Sequence, residues 1–168
     1  MPRKIIIDTD PGQDDAVALL LALASPEDLE VLAVVTVAGN VPLSHTTANA
    51  RQVLELAGRL DLPLYAGCAR PMCRRLVTAE HVHGATGLDG PVLPAPTMPV
   101  QSRHGVQYLI ETFCQAEPGL ITLVTLGPLT NVAMALVQAP DIAPRIREIV
   151  AVLGTWSEYV DPIVRTAL

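Results

Sequence analysis

The sequence predicts an α/β fold: an open, mostly parallel sheet of Rossmann-like type with helices on both faces. Three observations predict it. Short apolar runs rich in β-branched residues recur at 5–7, 31–37, 62–67, 121–126 and 149–153. Such runs suit buried strands better than helices. Between them lie stretches with helical spacing of apolar residues, at 16–24, 42–58, 104–116 and 129–138. Turn chemistry closes the strands: Asp10-Pro11-Gly12, then Ala38-Gly39-Asn40, then Gly127-Pro128. Strands alternating with helices make βαβ units, with parallel strands and right-handed crossovers.

The elements follow in order. Ile5, Ile6 and Ile7 form the first strand, which ends because Pro11 has no N–H and Gly12 permits a sharp bend. The first helix is the apolar run 16–24, with Asp14 as a candidate N-cap. Asp28-Leu29-Glu30 leads into the second strand. The helix over 42–58 has Ser44 as an early cap, and 62–67 is a third, short strand. From 68 to 103 the pattern breaks, with Pro71, Pro91, Pro94, Pro96 and Pro99 among Gly84, Gly87 and Gly90. A loop this long in a compact domain is usually functional or disordered. Helical spacing resumes over 104–116. After the fourth strand, a helix over 129–138 is capped near Thr130, and Thr130 and Asn131 serve that turn. The fifth strand is 149–153, and 154–168 fits no element clearly.

At 168 residues the chain reads as a single α/β domain. Half its residues are hydrophobic, which excludes disorder. Net charge is −6, and the eleven Lys and Arg form no basic stripe with interleaved aromatics, so no nucleic-acid partner is expected. The longest apolar run is nine residues, too short to span a bilayer, so no membrane partner is expected either. Asp8 interrupts the apolar run behind Arg3 and Lys4, so no signal peptide is read and a cytoplasmic location is expected. Cys68, Cys73 and Cys114 are an odd set without C-x-x-C spacing, hence thiols rather than a disulfide or zinc framework.

The chemistry gathers at the first strand-to-helix junction. Asp8, Asp10, Asp14 and Asp15 place four carboxylates in eight residues. In open α/β sheets, ligands bind at such junctions. The helix N-terminus offsets about 0.3–1 kcal/mol of repulsion for Asp14 and for Asp15. A hard divalent cation, Ca²⁺ or Mg²⁺, would offset more. Capping by Asp14 and a solvated acidic turn is the plainer alternative. Asn40 falls on the same sheet edge, as an ordinary turn residue or as a donor to a ligand hydroxyl or a carboxylate.

The stretch from Asp8 through Ala16, DTDPGQDDA, resembles the N-terminal signature of the inosine-uridine preferring nucleoside hydrolases. Two further stretches are similar to that family: His83-Gly84 followed by Gly87-Leu88, and LVTLGPLTN over 123–131. The resemblance implies a Ca²⁺-dependent enzyme that hydrolyses the N-glycosidic bond of ribonucleosides, in nucleoside catabolism and purine salvage. It implies a small-molecule ribonucleoside as partner and a homo-oligomeric assembly. Carried over position by position, Asp10, Asp15 and the carbonyl of Leu126 hold the Ca²⁺. Asp10 is also the general base. Asp14 grips the ribose 2′-hydroxyl, with Asn40 beside it. His83 protonates the leaving group or contacts the base, and Asp8 orients the loop.

The resemblance runs from Lys4 to about Val152 and then departs. Family members carry a glycine-rich loop after the fifth strand, then a Glu and an Asn for ribose. Here the chain passes directly through Ser157 and Glu158 to Tyr159-Val160-Asp161-Pro162, with Ser157 where the Asn would stand. The family's C-terminal half adds a further Asp for Ca²⁺ and often a His near the base, with no counterpart here. An incomplete nucleoside hydrolase domain is therefore expected, with weakened metal binding, impaired turnover and apolar surface that favours self-association. One alternative is an inactive fragment that binds metal or ribose only. Another is a haloacid dehalogenase-like phosphatase using Asp8-Thr9-Asp10 and Mg²⁺, although Gly12 stands where that class needs Thr or Val. An EF-hand is a weaker alternative still, because a strand precedes the acidic run and Pro11 interrupts the ligand loop.

Overall fold

The segment Arg3–Thr9 (β1) is the centre of a five-stranded, all-parallel sheet in the computed structural model, which describes residues 1–90 and 92–152. On one side lie Leu29–Thr36 (β2) and Leu64–Ala66 (β3); on the other lie Ile121–Thr125 (β4) and Glu148–Ala151 (β5). The helices are Gln13–Leu23 (α1), Leu43–Leu56 (α2), Glu80–His83 (α3), Gly105–Gln115 (α4) and Thr130–Gln138 (α5).

The isoleucine run shows why both faces are covered. Side chains alternate along a strand. Ile5 and Ile7 pack with Leu19 of α1 and Val53 and Leu54 of α2. Ile6, between them, packs with Leu109 and Phe113 of α4 and Val132 of α5. Each such side chain contributes roughly 1.5–3 kcal/mol on burial. Strands buried on both faces read as continuous apolar runs rather than alternating ones. Coverage is uneven, however. An apolar groove lined by Ile5, Ile7, Ala18, Ala22, Val124 and Val150 runs beside α1. On α1 itself, Val17 and Leu21 are 65% and 68% exposed.

The caps differ from expectation. Asp14 does not cap α1; the Asp15 carboxylate accepts the Gly12 N–H at 3.2 Å instead. Ser44 does not cap α2, which Pro42 precedes without any side-chain cap. Thr130 is the first residue of α5 rather than its cap, and it is buried. α4 does gain a side-chain cap, since His104 Nδ1 accepts from the Val106 N–H at 3.2 Å. The long loop contains the short α3. The readings at Leu153 and at Ser157 through Pro162 lie outside the described residues.

Candidate active site

Strand pairing sets the address of the site. Thr9 pairs with Thr36 and Asp8 with Thr125, so β1, β2 and β4 end side by side. The chain leaves β1 toward β2 and β3 and later returns on the other side as β4. The gap beyond β1 and β4 is therefore the topological switch point where α/β sheets bind ligands.

Asp10 occupies that gap. It is 4% exposed and closely enclosed by backbone. A Cβ on Gly39, just past β2, would overlap Asp10 Oδ2, and one on Gly127, just past β4, would overlap Oδ1. Only glycine allows both turns to close on the carboxylate. Asn40 orients it: its N–H donates to Asp10 Oδ2 at 2.7 Å, and its Nδ2 donates to the Asp10 carbonyl at 3.0 Å.

Asp15, in the first turn of α1, is 5% exposed and accepts from Thr9 Oγ1 at 3.0 Å as well as from Gly12. Asp14 is exposed at the mouth of the junction. The Leu126 N–H donates to the Asp8 carbonyl at 2.8 Å, which fixes the turn after β4 against the end of β1. Asp8 itself is 1% exposed and lies on the α5 side, where Asn131 Nδ2 donates to its Oδ1 at 3.0 Å. Asp8 Oδ2 and the neighbouring Thr125 Oγ1 are buried without a partner among the described residues.

The sequence reading of Asn131 as a turn residue needs correction. Its side chain is fully buried and joins distant strands rather than its own turn. Besides Asp8, its Nδ2 donates to the Thr36 carbonyl at 3.1 Å, and its Oδ1 accepts from the Cys68 N–H at 2.8 Å. Asn49 was also missed. On the buried face of α2, it donates to the carbonyls of Pro11 at 3.0 Å and Thr86 at 2.8 Å, tying the long loop to the junction. A polar residue in the buried stripe of an amphipathic helix was the available signal.

That tie brings His83 to the site edge. His83 is half-buried, its Nδ1 lies 2.7 Å from Gln13 Oε1, and its ring packs against Gly12.

Burial dominates the electrostatics. It pushes Asp8 from 3.8 up to about 7, partly offset by the Asn131 hydrogen bond. Asp15 rises to about 6 through burial, against the Gly12 and Thr9 hydrogen bonds. Asp10 is held well above the usual carboxylate range, by burial first and then by the Asp15 charge. The ion pairs between described residues all lie elsewhere: Arg3–Glu148, Lys4–Glu30, Arg59–Asp61 and Arg103–Glu111. Two buried carboxylates that repel each other, beside a peptide turn, make a hard-oxygen donor set that suits a divalent cation. No group of three His, Cys, Asp or Glu side chains among the described residues is placed to hold a metal. Asp10, Asp15 and the Leu126 carbonyl would thus need water or other oxygen ligands to complete a shell.

Known proteins share this fold. The profile of the family described as inosine-uridine preferring nucleoside hydrolase matches residues 5–163, and the chain belongs to that family. It is 46% identical over 174 residues to a pyrimidine-specific ribonucleoside hydrolase of Photobacterium profundum, covering 96% of this chain and 55% of that one. Identity to the inosine-uridine preferring nucleoside hydrolase of Crithidia fasciculata is 45% over 159 residues, covering 94% and 50%. Among solved structures, a plant nucleoside hydrolase superposes with a TM-score of 0.81 at 41% identity, covering 90% of this chain and 48% of that one. The chain spans about half the length of the curated relatives it matches.

Proposed function

We propose that this chain supports Ca²⁺-dependent hydrolysis of the N-glycosidic bond of ribonucleosides, yielding ribose and a free base. The observation that carries the reading is the pair Asp10 and Asp15, buried together at the switch point without a salt bridge among the described residues. Burying carboxylates costs several kcal/mol unless something compensates. A fold that keeps two of them at its ligand-binding edge uses them.

Asp10, Asp15 and the Leu126 carbonyl would hold the ion. When bound, it supplies polarisation and orientation of a water nucleophile. Asp10, oriented by Asn40, accepts a proton from the attacking water as general base. Asp14, exposed at the mouth, accepts a ribose hydroxyl. The junction's negative charge stabilises the positive charge that develops on the sugar as the base departs. His83 meets the leaving base. Asp8 holds the turn at Leu126 through its backbone and faces Asn131 with its side chain.

A second reading is that the chain binds Ca²⁺ or ribose without turnover. The phosphatase reading does not account for a family match across residues 5–163. The test is release of nucleobase from inosine and uridine by the purified chain, with Ca²⁺ and with a chelator. Ca²⁺-dependent release, lost in Asp10→Ala, is the expected result. A folded chain that releases no base in either condition sinks the hydrolase reading and leaves the binding one.

A further inference from the structure

Gln13 and His83 make a contact that the proposed chemistry leaves unused. Gln13 Nε2 donates to two carbonyl oxygens, those of His83 at 3.1 Å and Asp89 at 3.4 Å. Carbonyls only accept, so a flipped amide would turn an acceptor toward two acceptors. The amide is therefore oriented, and its Oε1 faces His83 Nδ1 at 2.7 Å. An amide oxygen only accepts as well, so the ring nitrogen opposite it carries the hydrogen.

We propose that Gln13 is a positioning residue that locks His83 in the Nδ1–H tautomer and leaves Nε2 as the ring's available lone pair. The surroundings hold the ring as well as its proton. A Cβ on Gly12 would stand 2.5 Å from His83 Nδ1 and 2.8 Å from Cε1, and 3.1 Å from Asn40 Nδ2. The Nδ1–Cε1 edge of the imidazole thus lies beside Gly12, next to the residue that orients Asp10. So held, neutral His83 offers an incoming ligand an acceptor. It selects a hydroxyl or N–H group, and it donates from Nε2 only after taking up a proton there. What His83 does with that lone pair rests on the hydrolase reading; how the ring is held does not.

The molecule contains its own control. His104 Nδ1 accepts from the Val106 backbone N–H, so its hydrogen sits on Nε2. The two rings carry opposite tautomers in one chain.

Long-range proton–nitrogen correlation NMR of the full, nitrogen-15-labelled chain reads both directly, at a pH where the imidazoles are neutral. His83→Gln and His104→Gln assign the signals. For His83, Nδ1 should show the protonated type of signal and Nε2 the unprotonated type, with the reverse for His104. In Gln13→Leu, His83 should lose its Nδ1–H preference while His104 keeps its pattern, which also reports an intact fold. Gln13→Glu should retain the Nδ1–H form, because a carboxylate oxygen still accepts. A His83 hydrogen on Nε2 in the unaltered chain overturns the proposal, as does an unchanged His83 pattern in Gln13→Leu. A chain that shows the Nδ1–H form but releases no nucleobase counts against the hydrolase reading alone.

Discussion

Two populations of carboxylates divide this molecule. At its surface, Asp61 is paired with Arg59, and Asp89 accepts from Ala85 and Thr86; both are held below the usual carboxylate range by those hydrogen bonds. At the end of β1, Asp8, Asp10 and Asp15 are buried and pushed the other way. The surface groups fit their surroundings as anions. The junction groups do not, and each would be easier to house as an apolar residue. Local rules of stability are broken where function is expected. The difference locates the site more sharply than conformation alone, because the backbone there has no positive φ outside glycine.

The largest test of this contrast is Asn131→Leu. It keeps the side-chain size but strips partners from Asp8, the Thr36 carbonyl and the Cys68 N–H. A loss of about 3–5 kcal/mol in urea unfolding is expected, since buried groups left unpaired each cost about 1–3 kcal/mol. Gly39→Ala comes next. Its new methyl would overlap Asp10 Oδ2, so a cost of about 1–3 kcal/mol is expected together with a lost thermal response to Ca²⁺.

The pH response sharpens the comparison. Asp8 and Asp15 have folded-state values of about 7 and about 6, above the ordinary 3.8. Between those limits the folded state binds more protons than the unfolded one, so stability falls as pH rises. In chelator, the melting temperature should therefore drop from about pH 4 to about pH 7, and added Ca²⁺ should recover most at the upper end. A flat profile in chelator would break the division into two populations. The smallest effect belongs to the surface group: Asp61→Asn should change stability by less than about 0.5 kcal/mol in the same assay.

Much of this was legible in the chain. The β-branched runs gave the strands because strand composition and turn chemistry are local, and the junction of Asp8, Asp10 and Asp15 is contiguous in sequence. Asn40 could be placed on the same edge because parallel strands end together. Asn131 could not be read correctly. Its partners at Asp8, Thr36 and Cys68 lie 123, 95 and 63 residues away, and nothing local distinguishes it from a turn asparagine. Caps failed for a related reason. Ser44 and Thr130 have the right chemistry for an N-cap, but Pro42 and Leu129 hold the cap positions. The link from Gln13 to His83 spans 70 residues and depends on how the long loop folds back, which composition does not specify.

Calorimetric titration of Ca²⁺ into the chain near neutral pH, in buffers of differing ionisation heat, tests the central claim most directly. The account predicts saturable binding with net proton release, because cation binding expels protons from carboxylates held above their usual range. It also predicts that Asp10→Ala removes both the heat and the proton release. No saturable binding, or binding unaffected by Asp10→Ala, would contradict the assignment of this junction as a cation site.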